Sequence, residues 1–280
     1  MDDTRFTVIL SGGEAAAEGS VTLDTTVNPS ATKEGEGKLQ AWFEKIKAEF
    51  DLNFIQGRRW KFLVDGLGNT LKITLLALAI GLVIGMAIAA VRSTYDKTAE
   101  GARPTFGRKL LGFFNGFCKV YLTVLRGTPV VVQLMIFAFV IFSSVRNKLV
   151  VAGLAFGLNS GAYVAEIIRG GIMAIDNGQF EAGRSLGFNY LQTMQHIIIP
   201  QVFKNVLPSL MNEFIALLKE TSVAGYVAVM DLTKAGDTIR GRTYSPFMPL
   251  IAVALIYLAL VMFLTWVVGR VERRLRNSDH

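Results

Sequence analysis

Glu213, Lys219 and Glu220 need explaining first, because they stand in a run that is otherwise of membrane type. From Val206 to Val229 the chain reads VLPSLMNEFIALLKETSVAGYVAV. An ionised group at the centre of a bilayer costs about 3 kcal/mol on insertion scales, so such groups face a partner or a hydrated cavity. On a helix Glu213 and Glu220, seven apart, share one face, and Lys219 lies about 100° round from its neighbour. A zwitterion needs an acceptor for its ammonium and donors for its carboxylate, and this stretch offers both. Asn212, Thr221 and Ser222 belong to the same candidate path. The same charges also suit a second reading, an ion pair that holds spans together.

Two further sets of charges lie beside apolar runs. Glu166 and Arg169, three apart, have the spacing of an intrahelical pair, and both fall at the end of an apolar stretch. Arg126 precedes Gly127, Thr128 and Pro129, a combination that bends a helix and could serve as a gate. Catalytic constellations are missing: the chain has no HExxH and no GxSxG. Of its two histidines, His196 sits in a linking region where a structural role is expected. The single cysteine, Cys118, permits no internal disulfide and reads as a packed thiol, and no metal-ligand spacing occurs. GEGKL at Gly35 lacks the spacer and the Ser/Thr of a phosphate loop.

These residues are carried by apolar segments. With 51% hydrophobic and 18% charged residues, the chain contains runs of bilayer length. Spans are expected at 71–91, 120–142, 149–168, 206–229 and 247–269, giving an all-α integral membrane protein with five spans and termini on opposite sides. The net charge of +7 comes from Lys and Arg in short segments beside these runs, as contact with anionic lipid requires, so nucleic acid is excluded as a partner. Segments after the first, third and fifth spans hold 13 Lys and Arg, against 8 on the opposite side when only Arg58, Arg59 and Lys61, close to the first span, are taken from the residues before it. The C-terminus and the tail 271–280 are therefore expected in the cytoplasm, and the N-terminus outside.

Residues 1–65 form a polar extension without a signal-peptide hydrophobic region. Leu39, Trp42, Phe43, Ile46 and Phe50 recur at helical spacing, which predicts an amphipathic helix over about 38–50. It could lie in the membrane interface or pack against the spans.

Between the third and fourth spans, the stretch 176–200 is polar with a helical rhythm. Asp176 and Asn177 are cap residues, Glu181 lies toward the positive end of a short helix, and Gly187 is placed to stop it. Asn189 can cap a second helix through Ile199, and Pro200 fits the start of a third. Ala182 and Gly183 are small enough to allow close contact. By itself this is an amphipathic connector.

The stretch resembles the Glu-Ala-Ala loop of bacterial ABC-importer permeases: EAG at Glu181, three residues, Gly187, then an ending IIIP at Pro200. Gly183 departs from the second alanine of that pattern. GLGNTLKIT from Gly66, RGTPVVVQ from Arg126, GAYVAEIIRGGI from Gly161, NGQFEAGRSLG from Asn177 and LPSLMNEFIALLKETSV from Leu207 are similar to the polar amino acid subfamily, in order along 66–270. The resemblance implies a five-span permease subunit of the bacterial inner membrane. Its partners would be a second permease copy or paralogue, a cytoplasmic ATPase dimer, an external solute-binding protein and an amino-acid substrate. ATP and magnesium would be held by the ATPase, leaving this chain without a cofactor or a catalytic site. Gln179, Glu181, Ala182, Gly183, Gly187 and Pro200 would form the coupling element, while Arg126 and Glu166 would join the substrate pathway with the charges of 212–222. The rival reading is a self-sufficient secondary carrier or channel for amino acids or ions; five spans would then have to dimerise to present the usual paired repeats.

Overall fold

A computed structural model of the chain describes residues 29–98 and 105–277, and among them there is helix and loop but no strand. Contacts divide the chain into two units, Met1–Lys47 and Ala48–His280. The expected readings of residues 1–28, and of both chain ends, fall outside the described residues. In the first unit, helix α1 (Pro29–Phe50) exposes Leu39, Trp42 and Phe43, the last two edge to face at 5.1 Å. The helix begins well before the predicted 38–50.

The second unit is built on two long helices. Helix α2 (Trp60–Thr98) has 39 residues, about 58 Å, so it outruns the apolar core of a bilayer and starts eleven residues before the predicted span. Helix α5 (Lys148–Met173) packs along it through glycines. A Cβ on Gly153 would lie 2.5 Å from Leu76 and one on Gly157 2.7 Å from Ile80, so only glycine allows this approach. Around this pair Ile73, Ala77, Leu134, Phe156 and Leu217 form a buried core shared with the shorter helices.

The predicted second span, 120–142, is not one segment. Helix α3 (Phe106–Gly127) begins earlier, and α4 (Val130–Ile136), continued by a π-turn at Phe137–Ile141, leaves it at 108°. Pro129 has no amide to continue α3, and the bend strands carbonyls that lipid could not satisfy. Gln133, buried, donates to the carbonyls of Leu125 (2.8 Å) and Thr128 (3.1 Å) and accepts from Asn159 Nδ2 (3.0 Å). At the other end of α4, Lys148 Nζ caps the carbonyls of Ala138, Phe142 and Ser143 at 2.9–3.2 Å.

Beyond α5 come α6 (Asn177–Ser185), α7 (Tyr190–Thr193), α8 (Ile199–Glu220), α9 (Leu232–Thr243) and α10 (Phe247–Asn277). By length and composition α2, α5 and α10 can cross a membrane, and α3 with α4 supplies a fourth crossing if the bent pair is one span. Helix α8 is long enough at 22 residues but carries Lys204, Glu213, Lys219 and Glu220. Only 11% of the apolar window of α10 is buried, so nearly all of that helix is left for lipid or another subunit.

Candidate functional site

The connector between α5 and α8 is shaped by its caps. Asp176 accepts from the Gly178 amide at 2.6 Å, opening α6. Gly187, at φ +81°, closes it in a Schellman arrangement: its amide donates to the Arg184 carbonyl (2.9 Å) and that of Phe188 to Gly183 (3.0 Å). Asn189 and Gln192 then exchange side-chain and backbone bonds of 2.9 Å in a capping box that starts α7.

Pro200 stands in the first turn of α8, as its residue type suggests, but no break separates that helix from α7. Residues Tyr190 to Glu220 are continuously helical through a π-turn at Met194–Ile198, where the Ile199 amide reaches back to Met194. The wide turn relieves the clash that the Pro200 ring would make with a normal turn. Element α6 is thus a short helix folded back on the foot of a much longer rod.

Three contacts hold α6 there. Phe180 stacks on Tyr190 at 6.4 Å, Lys97 Nζ lies 4.7 Å from the Phe180 ring and donates to Asn177 Oδ1 at 2.7 Å, and Gly183 rests on Thr193. A Cβ on Gly183 would meet the Thr193 Oγ1 and Cγ2 at 2.6 Å. Gly183 is therefore used inside the chain and is not open to an outside partner as expected. Gln179 is also turned inward, accepting from Gln201 Nε2 at 3.3 Å. Glu181, Ala182, Leu186 and Leu191 are exposed, the leucines 71% and 72%. Behind them Asp96, Lys97, Glu181, Arg184 and Tyr190 line a cavity of about 470 Å³. His196 is exposed, its Nδ1 3.0 Å from the Gln192 carbonyl one turn back.

The second constellation centres on Glu166. Its Oε1 meets Arg92 at 2.7 Å, its Oε2 meets Arg169 at 3.2 Å and Arg126 at 4.0 Å, and Arg169 also reaches Asp96 at 3.4 Å. The spacing of Glu166 and Arg169 predicts their pairing; Arg92 and Arg126 arrive from α2 and α3. The Arg126 guanidinium lies 5.5 Å from the Tyr163 ring centroid.

On α8, Glu213 Oε1 accepts from Ser160 Oγ of α5 at 2.9 Å and is half-buried, as is Glu220. Lys219 is exposed and, among the described residues, forms no salt bridge with either. Asn212 is exposed. Thr221 is fully buried, its hydroxyl donating to the Leu218 carbonyl at 2.8 Å, because the α-helix tightens there into a 3₁₀ turn packed on Thr74. Ser222 lines a different cavity, of about 420 Å³, with Asp231, Lys234, Asp237 and Arg240.

The profile of one family, described as the binding-protein-dependent transport system inner membrane component, matches residues 105–277. The chain belongs to that family. It is 37% identical over 217 residues to the putative glutamine transport system permease protein GlnP of Rickettsia bellii (strain RML369-C), covering 76% of this chain and 93% of that protein. To the arginine transport system permease protein ArtQ of Bacillus subtilis (strain 168) it is 37% identical over 222 residues, 78% and 94% of the two chains. A chain from the crystal structure of an amino acid ABC transporter with histidines superposes with a TM-score of 0.67 at 36% identity, covering 79% of this chain and 98% of that one. As a binding-protein-dependent permease component it is a transport subunit of the inner membrane, with ATP hydrolysis left to a partner.

The sequence alone pointed to Glu166, Arg126 and Glu213 but missed Arg92, Lys97 and Thr193. Arg92 ends the apolar run AIAAV and reads as a flanking charge. Only the packing of α2 against α5 turns it toward Glu166.

Proposed function

We propose that this chain is the membrane-spanning subunit of an ATP-driven importer of polar amino acids. In the assembled complex it pairs with a second permease copy or paralogue, binds two cytoplasmic ATPases and receives substrate from an external binding protein. The N-terminus lies outside and the C-terminus in the cytoplasm, in keeping with the Lys and Arg distribution. The observation that carries the coupling role is α6: a short helix, capped at both ends, clamped to α2 and α7, and presenting Glu181, Ala182, Leu186 and Leu191 outward. A rigid, exposed projection suits transmission of a partner's movement to α8. Gly187 sets its end, Gly183 its seat on Thr193, and Gln179 its tie to Gln201. The pathway is lined by Glu213, Arg126 and Glu166, with Glu220 and Lys219 nearby on α8.

The test is Glu181→Lys in a complex reconstituted with its ATPase and binding protein. The variant places the wrong sign toward the helix N-terminus and the partner. It should fold and insert, but move less amino acid per ATP hydrolysed. Parental uptake per ATP would overturn the coupling role, and a chain that transports without any ATPase would be a self-sufficient carrier.

A further inference from the structure

Between α2, α3 and α5 lies a cavity of about 540 Å³ lined by Arg92, Lys119, Arg126, Arg169, Glu166 and Thr123. Its ionic groups do not balance. Four cations line it, while the carboxylates within reach are Glu166 and Asp96. Arg92 and Arg169 spend their guanidinium groups on these two carboxylates. Arg126 touches Glu166 only at 4.0 Å and keeps 45% of its side chain exposed, against 15% for Arg92. Lys119 is exposed to the cavity and forms no ion pair among the described residues. Of the two remaining cations, Arg126 therefore has only a long contact to a carboxylate it shares with Arg92 and Arg169, and Lys119 has no ion pair among the described residues.

Their placement is a product of the fold. Arg126 stands in the last turn of α3, immediately before the 108° bend, and at the far end of a helix about 33 Å long. Tyr163 buttresses its guanidinium from one side. Lys119 is seven residues back on α3, two turns away on the same face, with Thr123 between them. Thr123 gives its hydroxyl proton to the Lys119 carbonyl at 2.8 Å, which leaves its oxygen free to accept. A guanidinium with an ammonium beside it is a fork and a point charge suited to a planar carboxylate.

We infer that this cavity holds the α-carboxylate of the transported amino acid, with Arg126 as the bidentate donor and Lys119 as the supporting charge. Arg92, Arg169 and Glu166 are positioning residues: they fix the cage and keep Arg126 from collapsing onto Glu166. The inference rests on the importer reading above. An anionic lipid headgroup carries the same chemistry, so the experiment separates the two sources.

Direct binding is measured to the permease–ATPase complex in nanodiscs, without binding protein, using L-glutamine and L-arginine beside their decarboxylated counterparts, 4-aminobutanamide and agmatine. The parent should prefer an amino acid over its amine by about tenfold or more, the value of one charge-assisted pair. Arg126→Gln should abolish most of that preference, Arg126→Lys should restore part of it, and Lys119→Gln should weaken it. Melting of each variant complex checks folding, and Lys119→Gln, at an exposed position, tests the cage even if Arg126 variants fail to assemble. Full preference retained in Arg126→Gln, or in Lys119→Gln where Arg126 variants do not assemble, overturns the carboxylate site while leaving the importer intact. If phosphatidylglycerol in the nanodiscs stabilises the parent but not Arg126→Gln, and amino-acid preference is unchanged, the occupant is lipid and the inference is wrong. Failure of the parent to bind any of the four probes counts against the importer reading itself.

Discussion

Gly183 is the position where this chain departs from the Glu-Ala-Ala pattern, and restoring alanine there should fail. An added Cβ would lie 2.6 Å from both Oγ1 and Cγ2 of Thr193 and 3.1 Å from its Cβ. Carbon atoms pack best at about 3.5–4.0 Å, so α6 would have to lift from α7 by roughly 1 Å. Overpacking of this kind costs about 1–3 kcal/mol. Here the displacement also strains the Phe180–Tyr190 stack and the Lys97–Asn177 bond, which join α6 to its neighbours. Gly183→Ala should therefore lower the melting temperature of the permease–ATPase complex and reduce uptake per ATP, with the variant still inserted. Thr193→Ala removes both close atoms and leaves the remaining Cβ at 3.1 Å, which a shift of a few tenths of an ångström accommodates. The double variant should recover most of the loss, a coupling visible in a double-mutant cycle. Parental stability and coupling in Gly183→Ala alone, or a double variant worse than either single one, would refute the packing account of α6.

Other outcomes follow from the same geometry. Glu213→Gln should assemble and keep basal ATP hydrolysis but lose uptake, most for cationic substrates, while Lys219→Met, breaking no ion pair, should leave the yield of complex unchanged; uptake assays and gel filtration check both. Asp231 caps α9 by accepting from the Thr233 and Lys234 amides at 3.0 and 3.3 Å, so Asp231→Ala should cost about 1–2 kcal/mol in thermal unfolding and Asp231→Asn much less. Burial pushes the Asp231 carboxyl above its ordinary range, so the folded state binds the proton more tightly than the unfolded one. Its contribution to stability thus falls as pH rises through the carboxylate range, and Asp231→Asn should flatten that slope. For topology, an impermeant thiol reagent on intact cells should label a cysteine placed at Ser30 and spare one at Ser278; the reverse would invert the proposed orientation.

Local signals were legible in the sequence because their partners are close in the chain. Asp176, Gly187 and Asn189 do what their residue types and positions predict, since a cap closes within three or four residues. Glu166 and Arg169 pair as a helical repeat requires. Hydropathy located the apolar runs and the family motifs, for burial in lipid is a property of composition. Tertiary structure decided what depends on the docking of separate helices. Gly183 looks like a small surface residue until α7 folds beneath it, ten residues away. Pro200 does stand in the first turn of α8, but the π-turn that joins α8 to α7 without a break is seen only in the fold. Thr221, drawn into the candidate path by its polar neighbours, is buried when α8 meets α2. The cage around Glu166 draws Arg92, Arg126 and Arg169 from three helices, and no spacing in the sequence can express that meeting. Composition and short-range hydrogen bonding are written along the chain, whereas the balance of charge in a cavity exists only after the chain has closed around it.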